Sequence, residues 1–398
     1  MAGVEVQLQE GRSFVRSQAV HPGGVSDVRG HARTLLWLVL SLLFFGLLVQ
    51  ISHASTTLPM DGFQAHVRNL VVMRAGGVGV IFFLMWLGPQ RLRPLVPYLT
   101  GLTLIALLLV YVPGFKEEIN GSRRWIRLPG IPMTLQPSEI ARVIAVVWAA
   151  HRVTLLGDGI KDFRRGYLPM VVMCLAFAVP ILLEPDLGAT ILVILCFMTV
   201  LLFGGARIKH MAVSASILGS MVLLVAATSF DYMRERIAVW VGESTNDQVR
   251  RAMEAIGSGD GTGVGLGQGG FRNQSLQYMQ TDYVFSMVGE EFGLLGSFLV
   301  IGLFLAVLIV GFRMAAGIQD RFSALAAYGL IASVVYQAML HLQVVTGLAP
   351  PKGMNLPFVS DGGTALLASC LAVGIALGAA RGNGVPAGNQ SPAPALKR

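Results

Sequence analysis

Long apolar runs alternate with short polar segments along most of this chain, and each run is about as long as a membrane-spanning helix. A helix that crosses a bilayer needs about 20 mostly apolar residues. The pattern therefore predicts an all-α polytopic membrane protein with about ten transmembrane helices. The predicted helices cover 35–52, 70–88, 95–113, 139–156, 168–183, 187–204, 211–229, 283–310, 322–345 and 364–380.

Lysine and arginine in the polar segments indicate how these helices are oriented. The cytoplasmic loops of membrane proteins carry an excess of both residues. If the N-terminus lies inside, the internal segments collect 17 of the 30 Lys and Arg residues. An even number of helices then places both termini on the same side, so the sequence predicts an N-in/C-in topology.

Three outer segments follow from this topology, at 114–138, 230–282 and 346–363. The second is a large extracytoplasmic loop between the seventh and eighth helices, and a loop of that length without secondary structure is unusual. Its glycine run at 257–270 is only superficially similar to a phosphate-binding loop, because no Gly-Lys-Ser or Gly-Lys-Thr follows. We therefore attribute these glycines to flexibility beside a site.

Composition supports a membrane protein and limits the possible partners. Hydrophobic residues make up 54% of the chain and charged residues only 13%, about half the usual share in soluble domains. The net charge of +8 comes from loops beside the apolar runs, so topology explains it and no nucleic-acid partner is predicted. We expect a membrane domain at 34–381 between disordered cytoplasmic tails at 1–33 and 382–398.

Charged residues in or beside the apolar runs are costly and need a reason. Asp282 ends the long outer segment, and Glu290 and Glu291 lie about two helical turns further on. A carboxyl group at the membrane boundary can have a raised pKa and serve as a base.

Cations on the other outer segments can face these acids across a cleft. They are Lys352 on the third segment and the pair Arg123 and Arg124 on the first. A carboxylate with converging cations suits an anionic substrate such as a lipid-linked phosphate or pyrophosphate. Ion pairs that only brace the outer loops are the alternative.

Other polar residues have simpler interpretations. Glu139 and Arg142 lie three apart on one helix face and can pair, either to support the helix start or to serve a site directly. Glu184 and Asp186 flank Pro185 in a tight turn, and the turn is the favoured interpretation. We interpret His341, inside the ninth run, as a packed or hydrogen-bonded histidine.

Several motifs in the outer segments resemble the SEDS family (shape, elongation, division and sporulation), to which FtsW and RodA belong. They are Asn-Gly-Ser-Arg-Arg-Trp-Ile at 120–126, Glu-Pro-Asp-Leu-Gly at 184–188, Thr-Asp at 281–282, Pro-Lys-Gly at 351–353 and Leu-Pro-Phe-Val-Ser at 356–360. The resemblance extends in order from about residue 35 to 381, and the loops are nearer to FtsW than to RodA. The sequence departs from the motifs of the family at 277–280 and at Asp361, where it adds an acidic residue.

The resemblance implies a peptidoglycan glycosyltransferase that polymerises lipid II at the outer face of the bacterial cytoplasmic (inner) membrane, in cell division or elongation. It implies partnership with a class B penicillin-binding protein transpeptidase and with other division or elongation proteins. By resemblance Asp282 is the general base, and a divalent cation such as Mg²⁺ or Mn²⁺ is an optional participant. Residues expected to bind the substrate are Lys352, Arg123, Arg124, Glu139, Arg142, Glu290, Glu291, Ser360 and Asp361.

Two other functions remain open from the sequence. A bundle of ten helices with buried charge also suits a lipid II flippase, which needs polar groups near the bilayer midplane. The departures beside Asp282 leave open a non-catalytic scaffold that activates a partner transpeptidase.

Overall fold

The computed structural model describes residues 22–112, 116–119, 122–127, 134–229, 231–240, 247–271 and 279–382. This part of the chain is mostly helical, with one small sheet. The helices, in chain order, are α1 (Pro22–Thr57), α2 (Met60–Leu92), α3 (Val96–Leu109), α4 (Pro137–Leu156), α5 (Leu168–Leu183), α6 (Leu187–Phe203), α7 (Ile208–Ser229), α8 (Asp231–Trp240), α9 (Asp247–Ser258), α10 (Val284–Ala316), α11 (Arg321–Val345) and α12 (Gly363–Arg381). The strands are β1 (Lys116–Ile119), β2 (Ser122–Arg127) and β3 (Thr134–Leu135).

Seven helical segments among the described residues are long and apolar enough to cross a membrane. They are Asp27–Thr57, Met60–Leu109, Pro137–Lys161, Phe163–Leu183, Val284–Ala316, Arg321–Val345 and Gly363–Arg381. Leu187–Phe203 and Ile208–Val222 are apolar but shorter. The prediction of a multi-pass helical membrane protein is therefore confirmed at this level.

The sheet is a correction to the all-α prediction. Strands β1 and β2 pair antiparallel, with Glu117 opposite Trp125, and β3 adds to β2 with Leu135 opposite Ile126. This segment is too polar to form a spanning helix, and antiparallel pairing satisfies the backbone groups of its strands. The sheet stands directly before α4 in the chain and brings Arg124 with it.

Two boundaries differ from the sequence-based expectations. Helix α1 begins at Pro22, inside the segment 1–33 that we assigned to a tail. The long outer segment 230–282 contains two helices, α8 and α9, rather than a continuous loop. Of the expected tails, residues 1–21 and 383–398 lie outside the described residues.

Helix α10 is interrupted at Gly293, whose φ of 63° breaks the helical hydrogen-bond pattern. In an unbroken helix the Leu294 N–H bonds to the Glu290 carbonyl. Here Leu294 N–H donates instead to Asp260 O (2.9 Å), and Glu290 O accepts from Val264 N–H (2.9 Å). The glycine run therefore occupies the break and satisfies the backbone groups that the interruption frees.

Glycine is needed in this run because two backbones approach closely. A Cβ at Gly259 would lie 1.9 Å from Gly289 O, and one at Gly263 would lie 2.2 Å from Glu291 O. Gly263 also has a φ of +85°, which side chains rarely adopt. The run at 257–270 thus packs tightly against α10, whereas we had attributed its glycines to flexibility.

Candidate active site

A cavity of about 460 Å³ lies where the outer segments meet the helix ends. Its walls come from β2, the start of α4, the turn before α6, helix α8, the residues before α10 and the segment 351–362. Four acids and four cations line it: Glu139, Asp186, Asp282, Asp361, Arg124, Arg142, Arg236 and Lys352. The fold therefore gathers charge from segments that are far apart in the sequence.

Asp282 lies two residues before α10, with its carboxylate against Gly353. A Cβ at Gly353 would be 2.7 Å from Asp282 Oδ2, so the absence of a side chain there makes room for the carboxylate. Burial raises the pKa of Asp282 to about 6, although Arg124 and Arg236 oppose the shift. A carboxyl group with a pKa just below neutral suits a general base.

Lys352 brings an ammonium group to the same cavity. Its Nζ lies 3.0 Å from the position that a Cβ on Gly188 would take, so the side chain packs over the start of α6. Burial lowers the pKa of Lys352 to about 8, against the opposing charge of Asp186. The group therefore remains mostly charged at neutral pH, and it can bind an anion.

Arg124 reaches the cavity from β2 through an ion pair. Its Nη1 lies 3.0 Å from Oδ2 of Asp186, whose side chain is almost fully buried. The other oxygen of Asp186 accepts the Ala189 N–H at 3.0 Å and so caps α6. One carboxylate thus starts a helix and holds a cation at the cavity.

The expected pairing of Glu139 and Arg142 is confirmed. Arg142 Nη2 lies 3.0 Å from Glu139 Oε2 on the first turns of α4. Gln337 of α11 donates to Glu139 Oε1 at 3.3 Å and accepts from Arg142. Glu139 and Arg142 line the cavity and Gln337 holds them from α11, so the helix-support and site interpretations of the pair are compatible.

Asp361 lines the cavity near its rim. Its Oδ2 lies 3.6 Å from His66 Nε2 on α2, and both side chains are about one-third exposed. Of the departures at 277–280, residues 277 and 278 lie outside the described residues.

Three of the expected substrate-binding residues do not line the cavity. Glu290 accepts the backbone N–H groups of Gly270 and Phe271, the latter at 3.1 Å, and Glu291 accepts Ser52 Oγ at 2.8 Å. Ser360 donates to the carbonyl of the residue before Asp282. Their side chains instead form hydrogen bonds with backbone groups or, for Glu291, with a side chain of α1. The side chain of Arg123 lies outside the described residues.

Sequence reasoning missed two of the eight charged residues of the cavity wall. Asp186 was assigned to a turn, although its place directly before α6 marks it as a helix cap. Arg236 of α8 donates to Pro351 O beside Lys352, and nothing in the charged stretch Arg234-Glu235-Arg236 distinguishes this arginine from its neighbours. By contrast, the hydrogen-bonded interpretation of His341 is confirmed, because its Nδ1 lies 2.6 Å from Met354 O.

The donor set of the described residues does not fit a divalent metal. No group of three or more His, Cys, Asp or Glu side chains in that part of the chain is arranged to hold one. The acids of the cavity are instead interleaved with cations, as for Asp186 with Arg124.

Comparison with known proteins gives consistent similarities. The FtsW/RodA/SpoVE family, described as cell cycle proteins, matches residues 33–383. A probable peptidoglycan glycosyltransferase FtsW of Geobacter sulfurreducens is 31% identical over 362 residues, which cover 89% of this chain and 96% of that protein. Stage V sporulation protein E of Bacillus subtilis is 32% identical over 329 residues, which cover 81% of this chain and 88% of that protein.

Solved structures share the fold. A chain from a peptidoglycan synthase complex, whose structure addresses the coordination of polymerization and crosslinking, has a TM-score of 0.73 at 26% identity, covering 88% of this chain and 97% of that one. The rod shape determining protein RodA of Thermus thermophilus has a TM-score of 0.64 at 23% identity, covering 88% and 97%.

Proposed function

Because this chain belongs to the FtsW/RodA/SpoVE family, we propose that it is a peptidoglycan glycosyltransferase that polymerises lipid II during cell division, with Asp282 as general base. The observation that carries the proposal is the placement of Asp282 in a cavity lined by four cations. A base beside converging cations is what glycosyl transfer from a pyrophosphate donor requires.

The reaction follows from this geometry. Asp282 takes the proton of the acceptor sugar hydroxyl, and the resulting oxygen attacks the anomeric carbon of the donor. The bond from that carbon to the pyrophosphate oxygen breaks, and undecaprenyl pyrophosphate leaves with the bonding electrons. Arg124 and Lys352 both line the cavity, and their positive charges neutralise the charge that develops on the leaving group.

The remaining cavity residues bind and orient the substrate in this proposal. Arg236 adds a third cation. It lies near Lys352, because it donates a hydrogen bond to the carbonyl of the neighbouring Pro351. The Glu139–Arg142 pair and Asp361 present hydrogen-bonding groups suited to sugar hydroxyls or amides. Glu290, Glu291 and Ser360 act through the backbone they hold rather than on the substrate.

We propose ten membrane spans with both termini inside, in the bacterial inner membrane. Met60–Leu109 is 50 residues long and contains a break at Gly88 (φ 71°), so it divides into two spans. The shorter helices Leu187–Phe203 and Ile208–Val222 add two more to the seven long segments. The membrane domain then covers 34–381, and every segment that contributes to the cavity lies outside.

This one-sided placement favours surface chemistry on a lipid head group over the flippase alternative. A transporter needs polar groups accessible from both faces near the midplane. The charged residues of the cavity instead come from helix starts, turns and outer segments that share one face in this topology.

A class B penicillin-binding protein transpeptidase is the partner that we propose. The similarity to a chain of a peptidoglycan synthase complex that coordinates polymerization and crosslinking supports it. The partner would crosslink the glycan strands that this protein makes, so the product of this protein would be the substrate of its partner.

Polymerisation of lipid II by the purified protein tests the proposal, with and without a partner transpeptidase. We expect polymer from the wild type and none from Asp282→Asn, because the amide cannot accept the proton. Asp260→Asn is the matched control, since Asp260 is an exposed acid in the same outer segment outside the cavity wall. Equal polymerisation by wild type and Asp282→Asn would assign the base elsewhere.

A further inference from the structure

The two residues before Asp282 are held by hydrogen bonds to their backbone carbonyls. Gln280 O accepts from Gln50 Nε2 at 2.9 Å and from the Asp361 N–H at 3.0 Å. Thr281 O accepts from Ser360 Oγ at 2.6 Å. The chain therefore approaches Asp282 with its carbonyl groups fixed from two sides.

Gln50 joins this segment to the segment 351–361. It is fully buried on α1, and its Nε2 also donates to Val359 O at 3.1 Å. Because both partners are carbonyl oxygens, only the NH₂ end of the amide can face them. A single amide group thus bridges the segment that carries Asp282 and the segment 351–361, which carries Gly353.

We propose that Gln50 is a positioning residue, which holds the Asp282 segment against the segment 351–361 so that the carboxylate stays beside Gly353 in the cavity. This inference rests on the proposed function for its consequence in catalysis. Gln50 does not line the cavity, so it acts through the backbone alone. The Asp361 N–H and the Ser360 hydroxyl add direct tethers from the segment 351–361, and the Ser360 hydroxyl in turn accepts the Leu356 N–H at 2.9 Å.

Loss of the Gln50 amide would displace the Asp282 carboxylate without removing any group that reacts. A displacement of about 1 Å at a reacting group can lower a rate by about 100-fold. Without Gln50, the Gln280 carbonyl loses one of its two donors and the Val359 carbonyl loses its link to the same amide. The Asp282 carboxylate then moves toward solvent, and its pKa falls because desolvation is what raised it.

The test replaces Gln50 with Met, which has similar length but no donor. For lipid II polymerisation we expect kcat to fall at least tenfold with KM unchanged within twofold, and the acidic limb of the pH–rate profile to move to lower pH. Ser52→Ala is the matched control on the same helix, because the Ser52 hydroxyl donates to Glu291 and accepts the Gly267 N–H. We expect it to leave the pH profile unchanged.

A second measurement does not depend on polymerisation. In Asp282→Cys, the rate of thiol alkylation reports how well the segment is held, and the native cysteines are fully buried. We expect Gln50→Met to raise that rate several-fold and Ser360→Ala to do the same, with Ser52→Ala near the parent value.

The two measurements separate the possible failures. Unchanged alkylation in both Gln50→Met and Ser360→Ala would overturn the inference, as would a fall in kcat that only tracks the loss of folded protein. Faster alkylation in a protein whose wild type makes no polymer would support the tether and reject the proposed function.

Discussion

Asp282 and Lys352 have pKa values displaced toward neutrality from opposite directions, and in the proposed mechanism these two values set the pH range of activity. The proposed base must be ionised, so activity should fall as the pH drops below about 6. The ammonium must be protonated to bind the leaving group, so activity should also fall as the pH rises above about 8. We expect kcat/KM for lipid II to follow a bell-shaped profile between these limits.

Substitution of Lys352 by Arg tests whether Lys352 causes the loss of activity on the alkaline side of the pH profile. The guanidinium stays charged throughout the accessible pH range, so the fall above about 8 should disappear while the acidic limb remains. Measurement from pH 5 to 10 with both proteins checks this, and an upper limb that persists in Lys352→Arg would assign it to another group.

Gly353→Ala tests how closely the backbone confines the base. The added Cβ would lie 2.7 Å from Asp282 Oδ2, so the carboxylate must move and kcat should fall by about tenfold to 100-fold. Gly257→Ala is the control, because a Cβ there meets nothing within 4 Å. Equal activity of the two variants would show that Asp282 is not confined by Gly353.

How much of the site was predictable differs from residue to residue. Asp282, Lys352 and Arg124 were identified from their outer segments, because charge beside apolar runs is conspicuous and the resemblance supplied roles. Glu290 and Glu291 share that signal but hold the glycine run, a backbone contact that no sequence pattern reveals. Arg236 reaches the cavity only through the packing of α8, which lies within a segment that the sequence presented as one loop.

The Asp186 carboxylate caps helix α6 and also pairs with Arg124 in the cavity, and two substitutions of Asp186 separate these roles. Asp186→Asn keeps a good cap but removes the charge beside Arg124, so KM for lipid II should rise several-fold with little change in stability. Asp186→Ala should lose a further ~1 kcal/mol of stability with the cap. Thermal unfolding in detergent and steady-state kinetics give both quantities; equal stability of the two variants would contradict the capping role.

The broken helix α10 makes a separate prediction about the glycine run. Gly263→Ala places a side chain at a φ of +85° and 2.2 Å from Glu291 O, which should lower stability by about 1–3 kcal/mol. Gly261→Ala meets nothing within 4 Å and should unfold close to the wild-type temperature. If Gly263→Ala is equally stable, the run does not need its close packing on α10.

Helix type and approximate position followed from the length of the apolar runs, but the elements of the outer segments did not. The sheet at 116–135 and helices α8 and α9 are short and polar, so hydropathy gives them no signal. The break at Gly293 has no signature within an apolar run, because it is stabilised by hydrogen bonds to the backbone carbonyls of the distant residues Asp260 and Gly261.

At the scale of the whole molecule, the number of spans decides which face carries the cavity. With the N-terminus inside, ten spans place Asp158 in the cytoplasm and Asp260 outside. If only the seven long segments crossed, Asp158 would lie outside and Asp260 inside. Both residues are exposed, and the native cysteines are buried.

Labelling of single introduced cysteines in intact spheroplasts therefore distinguishes the two topologies. A membrane-impermeant maleimide should label Asp260→Cys in intact spheroplasts and Asp158→Cys only after lysis. The reverse pattern would reject the ten-span topology with the N-terminus inside and move the cavity to the cytoplasmic face. Because the proposed mechanism polymerises lipid II at the outer face of the membrane, that outcome would also reject the proposed mechanism, whatever the geometry around Asp282.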